Sequence, residues 1–142
     1  MKIEFTVPGQ PQGKGRARVS TFGGFARAYT PEKTQVYENL IKVCYLQKNF
    51  PKLQGVLNLT VTAVYLAPTS FSLKKLKKAL NGEIRPQTKP DLDNILKVVC
   101  DALNKIAYDD DKQIVQMFIS KYYGENPYIK IEIEEVESDG NQ

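Results

Sequence analysis

The 142-residue sequence contains no histidine and only two cysteines. The absence of histidine excludes the usual general base, the Ser-His and Cys-His nucleophile pairs and the commonest transition-metal ligand. Cys44 and Cys100 lie far apart in apolar patterns without metal-ligand spacing, so we expect two reduced core residues and no zinc site. Any catalysis must therefore use carboxylates, lysines and hydroxyls, and carboxylates favour hard cations such as Mg²⁺ or Mn²⁺.

Long hydrophobic runs are missing as well. No run approaches the roughly 20 apolar residues that span a bilayer, and the apolar part of Met1–Phe5 is too short for a signal peptide. We therefore expect a cytoplasmic protein with no membrane partner. The length suits one domain over residues 1–142, and 42% hydrophobic residues are enough to form a core.

Hydrophobic periodicity predicts a single compact α+β (α/β-like) domain, with a mixed sheet of about four strands packed against two main helices. Strands are predicted over residues 2–8, 56–66, 114–122 and 128–136, with a turn at 124–127. Helices are predicted from an N-cap at Thr30, with Pro31 first in the helix, to about Lys48, and over 72–80 and 91–106. The first helix is expected to bury Val36, Leu40, Ile41 and Cys44, and residues 137–142 to form a polar tail.

A basic flexible loop or hairpin is predicted over residues 10–29. Its Gly23–Gly24 pair accepts the positive φ that a tight turn requires. Its basic residues are Lys14, Arg16, Arg18 and Arg27. Flexible chain beside arginines suits a segment that becomes ordered on a phosphate backbone.

Acidic residues gather at two points that bracket the predicted 91–106 helix, although the formal net charge is +4. Asp91 and Asp93 stand at its start, and Asp109–Asp111 follow its end. Carboxylates held close together repel each other unless a cation neutralises them, so a bound divalent cation is one explanation. Lys97, one helical turn after Asp93, is placed to neutralise charge on a phosphate.

Each of these features also has a purely structural explanation. Aspartate is a favoured helix cap, which accounts for Asp91 alone. Lys97 fits an ordinary surface ion pair at i,i+4 spacing, with Asp93 or Asp101. Asn94 suits a phosphate or water contact and equally a local capping hydrogen bond, and the aspartate triplet alone is typical of a solvated turn.

Two stretches resemble the signature of the RusA family of Holliday junction resolvases. The first reads Lys89-Pro90-Asp91-Leu92-Asp93-Asn94, Lys97, Asp101-Ala102-Leu103 and Tyr108-x-Asp110-Asp111-x-Gln113. The second comprises Gly13-Lys14-Gly15-Arg16, Arg18 and Tyr29-Thr30-Pro31. The resemblance implies a homodimeric, Mg²⁺-dependent endonuclease, with Mn²⁺ as a substitute, that makes paired symmetrical cuts in four-way DNA junctions during recombination and repair. It also implies a gene of a bacterial cell, a phage or a prophage.

The resemblance also implies roles for individual residues. Asp91, Asp93 and Asp111 take the place of the essential metal-binding carboxylates, Lys97 that of the essential lysine, and Asp110 is an assisting ligand. The expected DNA-binding residues are Lys14, Arg16, Arg18, Arg27, Lys89 and Asn94.

Two alternatives stay open at this point. One is a catalytically inactive protein that binds branched DNA, although the intact carboxylates disfavour it. The other is a metal-dependent nuclease for flaps or other branched DNA, because branch preference depends on dimer geometry.

Overall fold

The computed structural model describes residues 1–15, 18–24, 27–29 and 31–136, and for residues 18–20, 22 and 27–29 it describes the backbone only. The strands are β1 (Lys2–Pro8), β2 (Arg18–Ser20), β3 (Arg27–Tyr29), β4 (Leu57–Leu66), β5 (Ile114–Gly124) and β6 (Tyr128–Glu135). The helices are α1 (Glu32–Leu46), α2 (Leu73–Leu80) and α3 (Leu92–Leu103), with 3₁₀ helices at Phe22–Gly24 and Asp111–Gln113. This arrangement confirms the predicted α+β class.

A four-stranded mixed sheet in the order β1-β6-β4-β5 forms the centre of the fold. Strand β6 is antiparallel to both β1 and β4, whereas β5 is parallel to β4. The turn predicted at 124–127 therefore does not join neighbouring strands, because β4 lies between β5 and β6. This placement leaves β5 as an edge strand.

The core lies between one face of the sheet and the two long helices. Alternate residues of β1, β4 and β6 point into it, as expected for a sheet with one covered face. Helix α3 contributes its apolar stripe, which includes the buried residues Ile95, Val98, Val99, Ala102 and Leu103. The opposite face of the sheet carries ion pairs such as Lys130–Glu4 and Lys130–Glu132.

The predicted buried face of α1 is wrong in part. The helix buries Tyr37, Ile41 and Tyr45, whereas Val36 is 62% exposed. The Tyr45 ring meets the Phe5 ring edge-on at 5.6 Å, and burying such large rings removes more apolar surface from water than burying a valine would. The helix also begins one position later than predicted, with Pro31 rather than Thr30 at its N-cap.

Strands β2 and β3 form the hairpin predicted within residues 10–29. Gly23 and Gly24, in the 3₁₀ turn between them, have φ angles of 76° and 83°, which favour glycine. Arg16 lies outside the described residues, as do Thr30 and the predicted tail at 137–142. The backbones of Arg18 and Arg27 lie on the two strands, and the described side chains do not include theirs.

Among the described residues, no helix combines the length and the hydrophobicity needed to cross a membrane. The two cysteines form no disulfide, as predicted; Cys100 is buried and Cys44 is half-buried.

Candidate active site

A cleft of about 300 Å³ opens between α3, the Asp111–Gln113 helix and β5. Its lining residues are Asp93, Leu96, Lys97, Cys100, Asp101, Asp111 and Met117. The fold therefore brings together two of the predicted metal-binding carboxylates, from the first turn of α3 and from beyond its end, with the predicted lysine from the middle of α3.

Two aspartates, Asp91 and Asp93, lie at the start of α3. Asp91 occupies the N-cap position, but its side chain makes no capping hydrogen bond, and its carboxylate is exposed. Asp93 stands exposed in the first turn. Capping therefore does not account for Asp91, and both carboxylates remain available to a ligand.

The chain before α3 is tied to the sheet. The Tyr65 hydroxyl donates a hydrogen bond to the Pro90 carbonyl at 2.9 Å, and the Lys121 ammonium donates to the Thr88 carbonyl at 2.7 Å. Burial, together with the charge of Asp91, raises the pKa of Tyr65 to about 12, so this phenol keeps its proton. These contacts set where α3 begins.

The three consecutive aspartates after α3 have different surroundings. Asp109 pairs with Lys52 at 2.7 Å and is 66% exposed at its side chain. Asp110 caps the Asp111–Gln113 helix, accepting a hydrogen bond from the Lys112 backbone N–H at 2.9 Å. Of the triplet, only the third aspartate lines the cleft. The triplet is thus one ion pair, one helix cap and one candidate ligand.

The Asp111 carboxylate is held by a buried tyrosine. The hydroxyl of Tyr108, which is 1% exposed, donates to Asp111 Oδ1 at 2.7 Å. Burial raises the pKa of Tyr108, and the hydrogen bond to Asp111 raises it further, so the phenol is a proton donor at neutral pH. A donor of this kind fixes the orientation of a carboxylate and leaves its other oxygen for a ligand.

Cys100 borders the same part of the cleft. Burial, with the charges of Asp111 and Asp101, raises the pKa of the Cys100 thiol to about 11. The thiol is therefore neutral and contributes no thiolate ligand at neutral pH.

The lysine of the cleft belongs to a network of four charges. Lys97 Nζ, on a side chain that is 64% exposed, lies 3.7 Å from Asp101 Oδ2. The same oxygen lies 3.2 Å from Lys14 Nζ, which is also 2.6 Å from Glu38 Oε1. Burial lowers the pKa of Lys14, but the hydrogen bonds to Glu38 and Asp101 outweigh it and the pKa is raised. The predicted i,i+4 pair thus exists, with Asp101 as the partner.

Asp91, Asp93 and Asp111 are the carboxylates that would bind a divalent cation. Among the described residues, no three Asp, Glu, His or Cys side chains are grouped closely enough to hold a metal ion. Asp93 and Asp111 nevertheless line one cleft, and Asp91 lies in the turn just before it. Carboxylate oxygens are the donors that Mg²⁺ and Mn²⁺ prefer, so the donor chemistry fits, and binding would require these side chains to rotate toward one another.

The remaining predicted DNA-binding residues differ in their surroundings. Lys89 and Asn94 are exposed on either side of the Asp91 to Asp93 turn. Lys14, in contrast, has a side chain that is only 20% exposed and is paired with two carboxylates.

From the sequence, Tyr108 and Lys14 were not expected to contact a carboxylate of the site. Tyr108 belongs to the matched motif, and its spacing from Asp111 is the signal that could have identified it. Lys14 was predicted to contact DNA. No sequence signal links it to Glu38 of α1 or to Asp101 of α3.

The sequence of the chain is similar to those of known proteins. Residues 8–134 match the family described as endodeoxyribonuclease RusA. The chain is 38% identical over 138 residues to the uncharacterized protein YqaN of Bacillus subtilis (strain 168), covering 94% of this chain and 96% of that protein. It is 35% identical over 105 residues to the crossover junction endodeoxyribonuclease rusA of Lactococcus phage r1t, covering 73% and 69% respectively.

Proposed function

Since this chain belongs to the RusA family of endodeoxyribonucleases and is therefore a nuclease, we propose that it resolves Holliday junctions by hydrolysing one phosphodiester in each of two opposed strands. The observation that carries the proposal is the shared cleft of Asp93, Lys97 and Asp111. The phage relative, which bears the name of a crossover junction endodeoxyribonuclease, supports the choice of substrate.

We propose that Asp91, Asp93 and Asp111 hold Mg²⁺ or Mn²⁺, with Asp110 as an assisting residue. When bound, such a cation supplies Lewis-acid polarisation of the scissile phosphodiester and of the attacking water. Asp110 contributes through the carboxylate oxygen that does not cap the 3₁₀ helix.

Other side chains of the site then orient a carboxylate and neutralise charge on the phosphate. Tyr108 holds Asp111 in one orientation through its hydroxyl. Lys97 lies on the exposed rim of the cleft, where its ammonium can approach a phosphate and offset the negative charge that grows in the transition state. Lys89 and Asn94, exposed beside the first aspartates, bind neighbouring phosphates or sugars.

We further propose that the enzyme acts as a homodimer in the bacterial cytoplasm, on branched DNA from recombination and repair. The matched motif occurs once in the chain, so paired cuts need two copies. Exposed apolar residues on the edge strand β5, among them Val115, Met117 and Phe118, support contact with a second copy.

The test is cleavage of a synthetic four-way junction, a flap and a linear duplex, with Mg²⁺ or with EDTA. We expect paired symmetrical nicks in the junction with Mg²⁺ and none with EDTA. Asp93→Asn and Asp111→Asn each remove one charge at constant shape and should lower the cleavage rate by at least about 100-fold.

Asp109→Asn is the matched control, because the same change is made in the same triplet on an aspartate that pairs with Lys52 outside the cleft. Its cleavage rate should stay within about twofold of wild type. Junction binding without cleavage by the wild type would instead identify a binding protein, and faster cleavage of the flap than of the junction would identify a flap nuclease.

A further inference from the structure

The segment Gly13–Gly15 crosses between α1 and α3 beside the cleft. The Lys14 backbone N–H donates to the Asn94 carbonyl of α3 at 3.1 Å, and the Gly15 N–H donates to Thr34 Oγ1 of α1 at 2.9 Å. The segment therefore binds both helices through its backbone, although it belongs to the stretch expected to be flexible.

The two glycines are required by this close approach. A Cβ at Gly13 would lie 2.8 Å from Asn94 Cβ and 2.9 Å from Pro90 Cβ, which are distances that real side chains do not adopt. A Cβ at Gly15 would lie 2.6 Å from Thr34 Oγ1. The absence of side chains at both positions lets the backbone enter the groove and directs the Lys14 side chain along it.

The Lys14 ammonium is thus held between a carboxylate of each helix. It lies 2.6 Å from Glu38 Oε1 and 3.2 Å from Asp101 Oδ2, and the side chains of Lys14 and Glu38 are only 20% and 15% exposed. A DNA phosphate could reach this ammonium only by displacing two anionic partners in a partly buried position, which costs desolvation without gaining charge.

The charges connect Lys14 to the cleft. Lys14 and Lys97 share Asp101 Oδ2, so two cations are balanced by Glu38 and Asp101. If the Lys14 charge is removed, two carboxylates face one ammonium, and they draw Lys97 toward them. A lysine held in that way is less free to meet a phosphate.

We propose that Lys14 is a positioning residue for the nuclease reaction. Its ammonium offsets the negative charge of Asp101 and so keeps Lys97 available to the scissile phosphate. This inference rests on the proposed function of the cleft. It replaces the expectation that Lys14 contacts DNA.

The test compares Lys14→Met, Glu38→Gln and the double variant Lys14→Met/Glu38→Gln in two assays. Single-turnover cleavage of the junction should fall about tenfold in Lys14→Met and recover in the double variant, because the second change restores the ratio of one ammonium to one carboxylate. Junction binding in EDTA, and its dependence on salt, should be those of the wild type in the double variant, in which Lys97 is free to meet a phosphate. Thermal unfolding of each variant checks that it folds, and Lys14→Arg, which keeps the charge, should cleave faster than Lys14→Met.

Lys89→Met supplies the contrast, since Lys89 is exposed and is expected to contact phosphate. Its loss should reduce the slope of log affinity against log salt by about one. The same reduction in the double variant, in which Lys97 is free, would make Lys14 a phosphate contact and overturn the inference, and so would unchanged cleavage in a folded Lys14→Met protein.

A second measurement is independent of cleavage. The ¹⁵N and ¹H resonances of the Lys97 ammonium should move in Lys14→Met and return in the double variant, whereas unchanged resonances would overturn the inference. If the wild type cleaves no DNA, the proposed function fails, and these resonances still decide whether Lys14 acts on Lys97.

Discussion

At the scale of single residues, the role of each carboxylate depends on the group that it contacts. Asp109 pairs with an ammonium, Asp110 with a backbone N–H and Asp111 with a phenol. The three consecutive aspartates thus have the same side chain but different partners. Identical substitutions along the triplet should therefore give different results.

Tyr108→Phe isolates the hydrogen bond that orients Asp111. The change removes one oxygen from a buried side chain and leaves its ring in the core, so we expect a loss of stability of about 1 kcal/mol. We expect cleavage to fall by about 10- to 100-fold, because the freed carboxylate turns among several orientations. Measurement of the rate at increasing Mg²⁺ would show that more cation is needed for half-maximal rate.

Tyr123→Phe is the matched control, since Tyr123 packs against Phe71 and lies outside the cleft. It should leave the dependence on Mg²⁺ unchanged. An unaltered Mg²⁺ dependence in Tyr108→Phe as well would show that the phenol serves packing alone.

At the scale of elements, α3 has one face in the core and presents the charged residues of the cleft on the other. Prediction from sequence succeeded for the buried stripe of this helix, because its apolar residues have clean helical spacing, but the helix ends at Leu103 and not at 106 as predicted. Prediction was less successful for α1, where tyrosines replace aliphatic residues on the buried face and a valine is left outside.

Leu103→Ala tests how much α3 contributes to stability. Leu103 is completely buried, so we expect its truncation to lower the free energy of unfolding by about 2–5 kcal/mol, through lost burial and the cavity that remains. Urea unfolding followed by circular dichroism measures this. Leu73→Ala makes the same chemical change at a residue that is 86% exposed and should alter stability by less than about 0.5 kcal/mol. Equal effects of the two changes would contradict this account of the core.

Strand order shows what periodicity could not supply. The positions of all four strands of the central sheet follow from alternating apolar residues, but their neighbours depend on pairing between segments far apart in the chain. Nothing local to residues 124–127 indicates that β4 is inserted between the strands on either side. The ion pairs of Lys14 are beyond sequence for the same reason, because their partners meet only through the packing of α1 on α3.

At the scale of the whole molecule, the acidic cleft belongs to a chain with a formal net charge of +4. Under the proposed function, attraction of DNA must come from basic residues outside the cleft, and a cation must offset the carboxylates before a phosphate can approach them. The sequence indicated this cleft through the two acidic points that bracket one helix, and the fold brings Asp93 and Asp111 from those two points together.

Junction binding should therefore weaken steeply with salt. In EDTA, log affinity should fall linearly with log salt, by about 0.9 for each duplex phosphate that the protein neutralises. Fluorescence anisotropy of a labelled junction at several KCl concentrations measures the slope. Asp93→Asn is the control, because it removes a carboxylate rather than a cation and should tighten binding without changing the slope. An affinity that is independent of salt would contradict this view of DNA attraction.

The pairing of β1 with β6 has a consequence for how the chain folds. The two strands lie at opposite ends of the described chain, and Lys2 faces Glu134. During synthesis, β1 leaves the ribosome long before its partner exists, so its apolar side chains wait unpaired while helices α1 and α3 are made. Completion of the sheet must then be a late, non-local and comparatively slow event, which leaves the newly made strand β1 open to aggregation until β6 is made.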